Sequence, residues 1–357
     1  MRVALLLAFG LVACSSSDET STPSNTDTGV TVDTSTADSS AVDSSVVDSA
    51  LDTGPEVAMD ASTPPSAFCT KMSEMDLYSD IAKKTVHPRN HEFKPTYELW
   101  TDAAEKRRWI ALPPGGKIDT SDMDHWVFPV GTRTWKEFAR GGKLLETRMV
   151  EKTGDDAYRM GSYVWNDAGT EAIWTTAGEN NVLGTTHDVP NEAACQRCHF
   201  GQPGRVIGFS AIQLAKSTGP LPLSAIGSWL TVPAASDYGV PGNAVQSAAL
   251  GYLHANCAHC HNPNDTVTYL AAGMDLTIYV ADKDPTKTKT WTGSVNQKTE
   301  RYTSMAYRIY GGDTSKSAMY VRMTLRDKDQ MPPLGTEVVH TAGLATLKAW
   351  IDTLPPP

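Results

Sequence analysis

After its first dozen residues the sequence has no apolar run long enough to cross a bilayer as a helix, which excludes an internal membrane-spanning helix. It has no basic stripe and no recognised nucleic-acid motif, so DNA and RNA are not expected partners. Residues 15–66 contain no Lys, no Arg and no aromatic residue. A segment of that kind cannot bury enough surface to offset its ordering entropy, which excludes a packed domain there. No internal repeat is visible apart from one short cysteine motif that occurs twice.

The charge is unevenly placed. The net charge of −10 comes from 41 acidic and 31 basic residues. Ten acidic residues (Asp18, Glu19, Asp27, Asp33, Asp38, Asp43, Asp48, Asp52, Glu56 and Asp60) fall within 15–66. The body from 67 to 357 carries 31 acidic and 30 basic residues and is nearly neutral. The acidity therefore belongs to the tail and says little about a partner of the body.

The chain opens with a short positive start at Arg2, an apolar stretch from Val3 to Val12, and Ala13 before Cys14. A short apolar core ending at small residues has the pattern of an export signal. Cysteine directly after the small residue resembles the bacterial lipoprotein processing site. That resemblance implies a signal peptide over 1–13, cleavage before Cys14 and lipidation of its thiol, with anchoring by buried methylenes. Ser15 and Ser16 follow without an Asp, the pattern of outer-membrane lipoproteins in Gram-negative bacteria. Residues 14–66 then read as a disordered Ser/Thr/Asp-rich tether, with a root-mean-square span of roughly 40 Å.

Order is expected near Phe68, with a short helix over Met72 to Ala82. From about Tyr97 to Thr176 the sequence is made of short aromatic or β-branched runs. Trp109 to Leu112, Thr134 to Phe138, Glu146 to Val150 and Tyr163 to Trp165 are examples, separated by turn residues such as Gly141 and Gly142. This spacing predicts an antiparallel β-rich domain over 67–188 whose Trp residues pack its core. From Pro190 the texture is helical and loop-rich. Residues 189–246 form a segment around the first cysteine motif, and 247–357 form a domain around the second. Ser247 to Cys257 is an expected helix. Leu276 to Val280 and Met305 to Tyr310 look like strands. A final helix begins at Thr341, buries Leu344, Leu347, Ile351 and Leu354, and stops at Pro355. The fold class is α+β: an antiparallel β-rich domain, then a mainly helical region.

The chemistry lies in Cys195-Gln-Arg-Cys198-His199 and Cys257-Ala-His-Cys260-His261. Each is C-x-x-C-H, the attachment signature of c-type haem. Thiols three residues apart lie on one helical turn and can form thioethers to two vinyl groups. The adjacent His then reaches the iron. Zinc and thioredoxin-like redox chemistry are the competing readings, but zinc favours reducing compartments and the redox motif lacks the following His. The pattern therefore predicts two covalently bound haem c groups, attached through Cys195, Cys198, Cys257 and Cys260, with iron held by His199 and His261. With Cys14 lipidated, Cys69 is left over; it reads as a buried thiol or an intermolecular disulfide.

Met331 lies 70 residues after His261, in a loop stiffened by Pro332 and Pro333. It is the expected second ligand of the second haem, ahead of Met274, Met305, Met319 and Met323. A thioether ligand stabilises ferrous iron and raises the potential. No Met occurs between His199 and Met274, so the first haem lacks such a loop. His187 ranks first for its open face, before Met160, His254, His125 and Met149, with a five-coordinate iron as a further option.

The chain at this point resembles a family of bacterial lipoprotein dihaem c-type cytochromes, with a β-rich N-terminal domain and a class I cytochrome c-like C-terminal domain. The match runs from about Leu99 to Leu354. It is carried by Leu99 to Asp102, Ile110 to Pro113, Phe128 to Gly131, Glu146 to Arg148, Tyr163 to Asn166, Val189 to Asn191, Gly208 and Phe209, Gln213 and Leu214, Tyr252 to Asn256, Ser317 with Arg322, Met331 to Leu334, Trp350 and Ile351, and the two motifs. The resemblance implies His199 and His261 as proximal ligands and Met331 as a distal one. The expected function is electron transfer by an exported, lipid-anchored carrier in the periplasm or at the outer membrane. It would meet an unspecified redox partner protein. A dihaem peroxidase-like enzyme with an open first haem, and a haem module that docks a partner through its β-domain, are the alternatives.

Overall fold

The long strands follow from period-two alternation between Glu105 and Trp165. A computed structural model describes Val57, residues 65–265, Thr268 and residues 271–357. The leader, Cys14 and nearly all of the tether lie outside these described residues.

A six-stranded antiparallel sheet runs in chain order: β3 (His91–Glu92), β4 (Glu105–Ala111), β5 (Arg133–Arg140), β6 (Lys143–Lys152), β7 (Tyr158–Trp165) and β8 (Ala172–Thr175). A separate two-stranded ribbon, β1 (Tyr78–Asp80) with β2 (Thr85–Val86), precedes it. Arg140 pairs with Lys143, so β5 and β6 are joined by Gly141 and Gly142 alone. Their φ values of 57° and 78° are those of a two-residue hairpin turn with both centres left-handed, which glycine adopts without steric cost.

Register sorts the sheet's two faces. Trp109 pairs with Trp135, and Trp135 with Met149. With Tyr163 and Trp165 they form an apolar face that Cys69, Met72, Met75, Leu77 and Tyr78 cover. Arg133 clamps this cover, bonding Asp76 at 2.9 Å, the Ser66 carbonyl at 2.6 Å and Glu151 at 2.8 Å. The opposite face carries the neighbouring residues Arg108, Lys136 and Arg148, which line a cavity together with the two cysteine motifs.

Two further large cores lie in the body. Phe93, Ile110, Leu112, Ile118, Trp126 and Phe128 pack with Phe209, Leu214, Leu221, Ile226 and Trp229. The β-rich domain and the segment 189–246 thus share one core across the expected boundary at residue 188. The other core joins α3 (Ala244–Asn256) to α6 (Thr341–Ile351) through Leu250, Leu253, Leu344, Leu347, Trp350 and Ile351. A Cβ on Gly343 would stand 2.5 Å from the Tyr252 ring, so the glycine sets how closely these helices approach. Other α-helices are α1 (Glu192–His199), α2 (Ala211–Ala215), α4 (Lys289–Ser294) and α5 (Ala318–Thr324). Among the described residues no helix is long and apolar enough to cross a membrane.

Several expectations are corrected. Met72 to Ala82 is not a helix: one short 3-10 turn, Met72–Glu74, leads into β1, because Met72, Met75 and Leu77 must cover the tryptophan face. Residues 276–280 form no strand, and residues 305–310 contribute only isolated bridges, such as Lys298 with Tyr307. The tether is held at Val57, whose amide donates to the Ala225 carbonyl at 3.0 Å while its own carbonyl accepts from Trp229 Nε1 at 3.0 Å. Cys69 is buried in the core beneath the tryptophan face.

Candidate functional site

Each cysteine motif sits at the end of a helix whose start is fixed by an Asn cap. Asn191 accepts from the Ala194 amide at 2.9 Å and starts α1, which carries Cys195, Cys198 and His199 on its last turn. Asn243 and Gln246 form a capping box at the start of α3, which delivers Cys257 as its C-cap. Tight turns follow: the amides of Cys260 and His261 both donate to the Cys257 carbonyl, at 3.1 Å and 2.8 Å.

The two motifs meet. One donor atom each from Cys198, His259 and Cys260 lies within 4.8 Å of the others. Gly201 permits the approach, since a Cβ there would stand 2.1 Å from the His259 carbonyl oxygen. All four motif cysteines are free thiols. They line one cavity of about 920 Å³ together with His199, His261 and Met331.

Burial sets the protonation of the imidazoles. It lowers both His199 and His261 to about 4, so each ring is neutral and able to offer a lone pair. His199 Nδ1 bonds the Arg205 carbonyl at 2.6 Å, which places the ring proton on Nδ1 and leaves Nε2 for a metal. The Nδ1 atoms of His259 and His261 are buried without a hydrogen-bond partner among the described residues. Burial pushes the Cys195 thiol up to about 11 and Cys257 up to about 12. The neighbouring Cys260 sulfur holds Cys198 well below the usual thiol range, and the same contact together with burial raises Cys260. Two pairs of free thiols, each followed by a neutral imidazole and all opening on one cavity, are the donor set that two covalently attached haems require. The residues fit the group.

Met331 reaches the cavity from a loop pinned at both ends. Its amide donates to the Arg322 carbonyl at 3.0 Å. Beyond it, the Val338 amide donates to Asp102 Oδ1 at 2.7 Å, and Trp100 Nε1 donates to the Val338 carbonyl at 3.1 Å. The stretch Leu99 to Asp102 therefore ties the methionine loop to the β-rich part. Met274, Met319 and Met323 also line the cavity, whereas Met305 does not.

His187 does not reach the cavity, and its assignment to the first haem is corrected. Its ring is fully buried beside Phe138, and Nε2 is held by Glu146 Oε1 at 2.7 Å. The weaker candidates are also engaged elsewhere. His254 Nδ1 accepts from the Ile278 amide at 3.1 Å, His125 Nδ1 bonds Asp122 at 2.8 Å, and Met149 is in the tryptophan core. Met160 packs against Cys195 and Val150 without lining the cavity.

Sequence reasoning missed the cations. Arg108, Lys136, Arg148, Arg197, Arg308 and Arg322 all line the cavity. The signal was present in the strands, where each of Arg108, Lys136 and Arg148 stands one residue away from a core residue, Trp109, Trp135 and Met149. Compared with known proteins, the chain matches no family model, no curated protein and no solved structure.

Proposed function

We propose that this chain is a dihaem c-type cytochrome that carries electrons outside the cytoplasm. The observation that carries the reading is the convergence of Cys195, Cys198, His199, Cys257, Cys260 and His261 on one cavity. Bound haem supplies one-electron exchange at iron. The chain's own residues do the rest. The four cysteines fix the groups by thioethers, and His199 and His261 hold their iron as neutral imidazoles. Met331 supplies a second ligand for the haem attached at Cys257 and Cys260. The packing of α3 against α6, with the methionine loop just before α6, supports a cytochrome c-like arrangement for the C-terminal part. Contact between the two attachment turns suits electron passage from one haem to the other without a protein intermediary. Export, and anchoring through lipid on Cys14 to the periplasmic face of the outer membrane or the cell surface, complete the proposal.

The test is expression of the full chain in a host with a haem-attachment system. Two haems per chain by intact mass and by pyridine haemochrome absorbance are expected. Absence of covalent haem would overturn the proposal.

One observation favours a second reading. Cys198, His259 and Cys260 could hold a single metal ion such as zinc while their sulfurs are unalkylated. Stoichiometric zinc in protein that carries no haem would favour that site over the haem reading.

A further inference from the structure

Arg108 pairs with Lys136 across β4 and β5, and Lys136 with Arg148 across β5 and β6. Cross-strand partners share a face, so three cations stand side by side on three adjacent strands. All three line the cavity. Directly opposed like charges destabilise a sheet, and more so away from water.

The carboxylates nearby do not balance the row. Glu98 lies 3.3 Å from Arg108, and Glu146 lies 2.5 Å from Arg148. Lys106, two positions before Arg108 on the same face, donates only to the Leu99 carbonyl at 2.9 Å. Lys136 has no hydrogen bond or ion pair among the described residues, and its ammonium lies 5.1 Å from the Phe138 ring. Asp102 also acts on Lys106. Four cations therefore meet three carboxylates, and Lys136, which lines the cavity, has no carboxylate bonded to it among the described residues.

The row also lies beside the first motif. Arg148 acts electrostatically on both Cys195 and Cys198, and Lys136 on His199. Val150, two residues after Arg148 on the same face, packs on Cys195. A haem carries two propionate carboxylates, and Lys136 is the cation of this row with no carboxylate bonded to it. We infer that the Arg108–Lys136–Arg148 row is a dicarboxylate-binding face that receives the propionates of the haem attached at Cys195 and Cys198. The inference rests on the dihaem reading.

The test uses the full chain with both haems attached, as wild type, Lys136→Gln and Lys136→Arg. Spectroelectrochemical titration reads both midpoint potentials. Removing a cation beside a propionate favours oxidised iron, so one potential is expected to fall in Lys136→Gln and to recover in Lys136→Arg, the other staying fixed. Two unchanged potentials in Lys136→Gln would overturn the inference. So would Lys136-dependent binding of succinate or inorganic phosphate to the wild-type holoprotein by calorimetry, because the row would then be open to free anions. Conversion of one haem to high spin in Lys136→Gln would also overturn it, by marking the lysine as an axial ligand. If Lys136→Gln fails to fold, Arg108→Gln is read by the same criteria. A wild-type chain without haem sinks the dihaem reading and this inference together; haem present with unmoved potentials sinks the inference alone.

Discussion

The Cys260 thiol donates to the Arg197 carbonyl at 3.7 Å, joining two attachment turns that stand 63 residues apart in the chain. The turns touch at backbone level as well, because Gly201 leaves room for the His259 carbonyl. Haems fixed there by thioethers would begin from neighbouring sulfurs. In the proposed dihaem protein this arrangement would couple the two groups, and it depends on one missing side chain, at Gly201.

Gly201→Ala is therefore expected to damage the protein. A methyl at 2.1 Å from a backbone oxygen cannot be relieved by rotating a side chain, so the turns must separate. A loss of roughly 1–3 kcal/mol is expected from overpacking of this kind. Thermal unfolding of the two proteins, with haem content per chain, checks it. An unchanged midpoint and full haem content would show that the two turns are not in contact.

Much of this site was legible in the sequence, and the rest was not, for reasons of distance. The two C-x-x-C-H motifs are local patterns, and the caps and periodicity that place them at helix ends are local too. The place of Met331 at the cavity was legible because prolines mark its loop. His187 was misread because its partner, Glu146, lies 41 residues away on another element. Met72 to Ala82 has helix-forming residues, but the tryptophan face of the sheet claims them as cover. Lys136 was hidden between Trp135 and Glu137 in a strand read for its aromatics. Only the register of β4, β5 and β6 shows that three such cations share a face.

His187→Ala is expected to leave the spectra of both haems unchanged, because Nε2 is committed to Glu146 and the ring is outside the cavity lining. Stability should nevertheless fall by about 1–3 kcal/mol, since Glu146 loses a buried hydrogen bond. Magnetic resonance spectra and chemical denaturation separate the two effects. A haem that changes spin state in this variant would restore His187 as a ligand.

Met331→Ala is expected to remove the thioether from the second haem only. Its midpoint potential should drop, since the Met ligand favours ferrous iron, and the haem should become high-spin. Met331→His should return it to low spin without restoring the potential. A wild-type protein in which both haems are low-spin supports the carrier. High-spin iron at the Cys195 and Cys198 site, with peroxide turnover, supports the peroxidase-like alternative. If Met331→Ala leaves both potentials in place, Met274, Met319 or Met323 is the ligand instead.

Acid should weaken the fold through Glu146. Its carboxylate is fully buried, and burial alone would raise its pKa. Arg148 at 2.5 Å and His187 at 2.7 Å outweigh burial and hold it down to about 2, with a further bond from Ser162 at 2.7 Å. The folded value is thus below the ordinary value of 4.5. A carboxylate of this kind stabilises the protein fully above its unfolded pKa, and the contribution disappears as pH falls through the folded one. The window is therefore pH 4.5 down to about 2, and the loss is on the order of 3 kcal/mol. Glu146→Gln keeps the shape but removes the charge, so its stability should be lower at neutral pH and flatter across that window. Urea unfolding of the two proteins at several pH values measures this directly. Parallel pH profiles would mean that Glu146 does not carry the acid sensitivity, and that the Arg148 end of the cationic row is held in place by other contacts.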